Sequence, residues 1–186
     1  TATSWTDTNA TSGTYYKYTV KAISGSYTST FMATSGLVRL AQPTVKVSAN
    51  LDGVNVTWNK IAGASGYRVY KKTNNASGWS AVATISGTSY ADSSISDGNT
   101  YTYTVRAYKG NAWSSYNTAG VEISIDIKKQ ILDLVNAERK KAGLNPLEYY
   151  EAGQKAADIR AKEIINKFSH ERSDKTMCFT ALKENN

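Results

Sequence analysis

Tyr101-Thr102-Tyr103-Thr104-Val105-Arg106-Ala107 has a near copy 85 residues earlier, Tyr16-Lys17-Tyr18-Thr19-Val20-Lys21-Ala22. Working outward with the same offset, Thr3-Ser4-Trp5-Thr6-Asp7 falls on Thr88-Ser89-Tyr90-Ala91-Asp92, and Gly13 falls on Gly98. Gly25 meets Gly110, Phe31 meets Tyr116, and Val38 and Leu40 meet Ile123 and Ile125, with no gap. Self-similarity at a fixed offset marks a repeated structural unit. On this reading the chain opens within one module, residues 1–41, and holds a second, whole module over residues 43–125.

The period within the module names its class. Val54-x-Val56-x-Trp58, Tyr67-x-Val69 and Tyr101-x-Tyr103-x-Val105-x-Ala107 alternate apolar with polar residues, as strands with one buried face do. Asn50-Leu51-Asp52-Gly53, Asn74-Asn75-Ala76-Ser77-Gly78, Ser96-Asp97-Gly98-Asn99 and Lys109-Gly110-Asn111 supply the turns between them. About seven short strands at this spacing predict two facing sheets. A single sheet would leave its aromatic face wet, forfeiting roughly 25 cal/mol per Å² of apolar surface.

These residues resemble a fibronectin type III domain of the kind found in secreted proteins of Gram-positive bacteria. The likeness lies in Val56-Thr57-Trp58, in Gly66-Tyr67-Arg68-Val69-Tyr70 and in Ile95-Ser96-Asp97-Gly98-Asn99-Thr100-Tyr101. The last is similar to the family's Leu-x-Pro-Gly-Thr-x-Tyr, with Asp97 in place of the proline. It implies a tyrosine corner, in which a phenol ties the preceding connection to the backbone. Residues 10–16 keep a degenerate version. Trp79 and Trp113 lie in or beside loops, where an exposed ring can stack on a sugar. The competing reading has Trp79 packing at a strand start and Trp113 bracing a hairpin; Thr28 stands at the Trp113 place in the first module.

Composition changes near Asp126. Residues 1–125 hold 10 Lys/Arg and 5 Asp/Glu, all four tryptophans and eleven of the thirteen tyrosines, whereas residues 126–186 hold 12 Lys/Arg and 10 Asp/Glu. Ile127, Ile131, Leu134 and Val135 follow a helical stripe, with Asp126 placed as cap and Gly143 as stop. After Asn145-Pro146, Ala157, Ala161, Ile164 and Phe168 form the apolar stripe of a second helix, with Ala152, Ala156 and Ile159 beside it. Without the sheet such helices cover, the stripes around Ile131, Leu134, Ile164 and Phe168 are expected to stay exposed.

Leu134-Val135-Asn136-Ala137-Glu138-Arg139, then Ala142-Gly143-Leu144-x-Pro146-Leu147, and finally Ser169-His170-Glu171-Arg172-Ser173-Asp174 resemble the start of a CAP domain (cysteine-rich secretory, antigen 5 and pathogenesis-related proteins). The resemblance covers 126–186, about the first half of such a domain. It implies that His170 lines a cavity with a second histidine and acidic residues from later segments, where a divalent metal such as zinc is a cofactor only of the complete domain. One imidazole falls short of the three protein ligands of a catalytic zinc site. Glu163 stands seven residues before His170, and Glu171, Asp174 and Glu184 read as surface charges. Cys178 is the single cysteine, so no internal disulfide forms, and it shows no base partner for thiol chemistry.

The fold class expected is therefore multidomain: all-β immunoglobulin-like (fibronectin type III) sandwiches followed by a helical, truncated α/β CAP segment. The net charge of +7 is scattered without a basic run, which argues against nucleic acid. No apolar run spans a bilayer and no signal peptide is visible. The chain is expected to be an extracellular, secreted or surface-borne bacterial monomer whose modules act as spacer or interaction units presenting the CAP part. Its expected partner is a cell-wall polysaccharide or a host or cell-surface protein. Two other readings compete: a CAP hydrolase or metal-dependent enzyme completed downstream, and a glycan-binding module using Trp79 and Trp113.

Overall fold

The computed structural model describes residues 2–31 and 35–184. In the first copy of the repeat, β1 (Tyr15–Tyr16) pairs antiparallel with β4 (Leu37–Val38), and β2 (Ile23–Ser24) with β3 (Tyr27–Thr28). Its side-chain bonds are local. The Tyr16 phenol accepts the Thr11 N–H at 2.7 Å, the Tyr18 O–H donates to Asp7 Oδ2 at 2.7 Å, and Asp7 Oδ1 accepts the Asn9 N–H at 2.9 Å. Among the described residues no second sheet covers this copy, so Trp5, Val20, Ile23 and Tyr27 stand largely exposed.

The second copy is closed. β5 (Val45–Asn50), β6 (Gly53–Trp58) and β9 (Ser89–Asp92) form one antiparallel sheet in the order β5-β6-β9. β7 (Gly66–Thr73), β8 (Ser80–Ile85), β10 (Thr100–Lys109), β11 (Ala112–Trp113) and β12 (Val121–Ser124) form the other, with β10 at its centre. The last strand of the sandwich is thus split in two, giving eight strands where about seven are expected. Alternate residues of both sheets, among them Val54, Val56, Trp58, Tyr67, Val69, Tyr103 and Val105, meet in one core. This is an all-β sandwich of the fibronectin type III kind. Tyr101 makes the expected corner, its phenol accepting the Ser96 N–H at 2.9 Å. The Tyr103 O–H donates to Asp92 Oδ2 at 2.8 Å, and Asp92 Oδ1 accepts the Ser94 N–H at 2.9 Å. Each bond repeats its counterpart in the first copy at the offset of 85.

The last strand departs from the gapless alignment. Tyr101 pairs with Ile123, but Tyr16 pairs with Leu37, one residue short of the equivalent position. A one-residue slip moves side chains to the opposite face. Leu40 is accordingly buried in the core of the second module, together with its own repeat partner Ile125. Burying a leucine, worth roughly 1.5–3 kcal/mol, favours that arrangement.

This places the two copies in contact. Ser12 Oγ accepts the Ala41 N–H at 3.0 Å and donates to the Ala62 carbonyl at 3.1 Å. Gly13 and Gly63, both with positive φ, press together so closely that a Cβ on Gly63 would overlap the Cα of Gly13. Asp97, the repeat counterpart of Ser12, sits at the other end of the second module, where its Oδ1 accepts the Ile127 N–H at 2.8 Å.

The chain divides into two compact units, residues 1–130 and 131–186. The helices are α1 (Ile127–Lys141), α2 (Glu151–Asn166) and α3 (Thr180–Lys183). Asp126 caps α1 through Oδ1, which accepts the Lys129 N–H at 2.8 Å. Gly143, at φ +71°, stops it, with the Leu144 N–H returning to the Arg139 carbonyl at 2.9 Å. The following turn is held by Asn136, which exchanges two hydrogen bonds with the Leu147 backbone at 2.7 and 2.9 Å, and by Arg139 Nε on the Asn145 carbonyl at 2.7 Å.

The apolar stripe of α2 is exposed, as expected. Ala157, Ala161, Ile164 and Phe168 are exposed, and the flanking row of Ala152, Ala156 and Ile159 is the more buried one. The reason is where the polar partners sit: Glu163 and Arg160 pair with the 169–172 segment, turning their own side of the helix inward. On α1, Ile131 and Leu134 are likewise half exposed.

Candidate functional site

Two places gather chemistry-bearing side chains. The first is the outward face of the five-stranded sheet. Arg68, Tyr70 and Lys72 alternate along β7, and Thr102, Thr104 and Arg106 along β10, while their neighbours Tyr67, Val69, Tyr103 and Val105 point into the core. The sheet register sets Arg68 opposite Arg106. Both guanidinium groups lie on Trp113, 5.0 and 5.4 Å from the ring centre, and Arg106 also lies 5.5 Å from Tyr116. Farther along, the Lys72 ammonium stands 4.4 Å over Trp79. Trp79 packs at the entrance of β8, close to Gly120, and Trp113 packs on Tyr108 in the β10–β11 hairpin at 5.2 Å. Tyr70, Trp79, Thr104, Arg106 and Tyr116 line a shallow hollow of about 100 Å³. The two tryptophans thus share one face, each under a cation. Sequence reading singles out these rings and misses the arginines; the signal was the i, i+2 spacing of Arg68, Tyr70 and Lys72 on a strand already identified.

The second place is the 160–184 region, where the focus is Arg172 rather than His170. The Arg172 side chain is buried, with Nε on Glu163 Oε1 at 3.0 Å and Nη1 on Glu184 Oε1 at 2.5 Å. Arg160 binds the other Glu163 oxygen, and its Nη2 donates to the Ser169 carbonyl at 2.7 Å. Burial pushes the Glu163 carboxyl up, but hydrogen bonds from Arg172 and Arg160 outweigh it and hold the group below the usual carboxylate range. Bonds from Glu184 and then Glu163 raise the Arg172 guanidinium further above its ordinary value. Glu184 and Asp174 are exposed, as expected, and still bonded: the first closes the Arg172 network, and the second accepts the Thr176 N–H at 2.9 Å.

His170 is exposed, its carbonyl accepting the Cys178 N–H at 2.8 Å. Its imidazole has no hydrogen bond or ion pair among the described residues, and it does not line the neighbouring cleft of about 510 Å³, whose walls include Arg160, Lys162, Glu163 and Arg172. Among the described residues, no group of three or more His, Cys, Asp or Glu side chains converges for a metal. No helix among the described residues is long and apolar enough to cross a membrane.

No family model matches the chain. Over 68 residues it is 37% identical to a poly(3-hydroxybutyrate) depolymerase of Ralstonia pickettii, a match covering 37% of this chain and 13% of that protein. Similar solved structures include a Fn3-like protein from Clostridium thermocellum, 29% identical over 41% of this chain and 86% of that one, with a TM-score of 0.37. The FN1–FN3 domains of chicken CNTN1 are 17% identical over 64% of this chain and 46% of theirs, with a TM-score of 0.42.

Proposed function

We propose that this chain is part of an extracellular bacterial protein in which fibronectin type III modules form a stiff spacer that presents a CAP-type helical unit. The observation that carries the spacer reading is the joint between the two copies. Leu40 buried in the next module's core, Ser12 bonded to backbone on both sides and the Gly13–Gly63 contact leave no free linker. Inter-domain motion is the default where such contacts are few. The likeness to a bacterial depolymerase over 68 residues supports a bacterial setting in which polymers are met. The CAP reading is supported by motif residues at work: Asn136 and Arg139 fix the turn after α1, and Arg172 organises the 160–184 region.

The test uses the full chain with Cys178→Ser and spin labels at Ser24→Cys and Ser48→Cys. A narrow distance distribution that broadens in Gly63→Val and in the milder Ser12→Ala is the expected result; a broad distribution in the parent overturns the spacer. The CAP part requires an acidic residue and a second histidine encoded beyond Asn186. A coding sequence without them overturns it.

A further inference from the structure

Two arginines directly opposite one another on neighbouring strands are unfavourable, since like charges in that position repel. Arg68 and Arg106 hold that arrangement on Trp113, and neither they nor Lys72 make an ion pair among the described residues. Of the five acidic residues before Asp126, Glu122 lies on β12 at the far end of this face, opposite Thr102. The hydrogen bonds that the arginines do make use their Nε atoms, Arg68 to Thr84 Oγ1 at 3.3 Å and Arg106 to the Ser114 carbonyl at 2.9 Å. The terminal nitrogens of both forks remain for an anion, and paired guanidinium forks match a carboxylate bidentately. Beside them lies the hollow between Trp79 and Tyr116. The motif is repeated: Lys21 stands 5.2 Å over Phe31 in the first copy, where the offset of 85 places Arg106 over Tyr116.

From these placements we infer that the outward face binds a carboxylate-bearing polysaccharide. The carboxylate sits across Arg68 and Arg106, a sugar ring rests in the Trp79–Tyr116 hollow, and Lys72 receives the next acidic group along the strand. The site is independent of the spacer reading, because it lies within one module and needs no rigid joint.

The experiment measures binding of the full chain to polygalacturonate, with dextran and inorganic polyphosphate as comparison polymers. The expected result is salt-sensitive binding of polygalacturonate, none of dextran, and weaker binding of polyphosphate. Arg68→Gln is expected to weaken polygalacturonate binding about tenfold, the loss of one charge-assisted contact, with the melting transition unchanged. Should Arg68→Gln lower the melting transition, Lys72→Gln takes its place, since the Lys72 ammonium makes no hydrogen bond among the described residues. Undiminished binding by the folded variant overturns the site, as does a parent chain that ignores polygalacturonate. Equal binding of dextran overturns the carboxylate, and equal binding of polyphosphate overturns the sugar.

Discussion

Residues 16–22 and 101–107 make the same local bonds and end in different surroundings. The phenols of Tyr16 and Tyr101 take the N–H five residues upstream, and Tyr18 and Tyr103 each donate to the aspartate eleven residues upstream. Tyr103 is nevertheless fully buried between two sheets, while Tyr18 is 40% exposed. Short-range hydrogen bonds therefore follow from the repeated residues themselves, and burial follows from strands distant in the chain. The first copy shows how much geometry survives without a facing sheet.

The largest contrast expected is in hydrogen exchange. Amides of Tyr101–Ala107 should exchange at least about a thousandfold more slowly than those of Tyr15–Tyr16, because the former open only with the whole sandwich. Residues 131–166, with their half-exposed stripes, should sit with the fast group. Similar protection in all three segments breaks the comparison.

Substitution at the paired aspartates comes next. Asp92 is buried under the Lys71 ammonium at 2.7 Å, so Asp92→Ala strands a cation and a phenol and should cost about 3–5 kcal/mol in urea unfolding. Tyr103→Phe, losing one donor, should cost about 1–2 kcal/mol. Asp7→Ala and Tyr18→Phe, the equivalent changes in the exposed copy, should leave the unfolding midpoint in place. A matching loss in the first copy would mean that the local bond, not its burial, carries the stability.

The smallest effect is on pH dependence. Burial pushes the Asp92 carboxyl up, but bonds from Lys71, Tyr103 and Ser94 outweigh it, so the native value lies below the ordinary 3.8. A lowered native value stabilises the fold fully above 3.8, and that share is lost as the pH falls through the native value. The parent should therefore lose stability below about pH 4, and Asp92→Asn should flatten that limb. An unchanged acid limb in Asp92→Asn would assign it to other carboxylates.

Most of the sandwich was legible because its signals are local: the alternation in Tyr101–Ala107, the glycines of the turns and the Tyr101 corner need no partner to be read. The slipped register of β4 was not, since it depends on Leu40 leaving its own copy for the core of the next one. Which side of α2 packs was not legible for a related reason. Hydropathy marks Ile164 and Phe168 as a stripe left exposed, and the side that does pack is decided by Glu163 and Arg160 meeting the 169–172 segment. The aromatic members of the sheet face could be named, but their cations became meaningful only when the register set Arg68 against Arg106.

Ser12 and Asp97 occupy the same place in successive copies, and each ties down the backbone where its own copy hands over to the next segment of the chain. For the spacer proposed above, a connector carried in each copy would make reach lengthen in equal increments as copies are added, with no separate hinge for each. Pulling on that spacer would load the folded copies directly, so its compliance would be set by how hard they are to open rather than by slack between them.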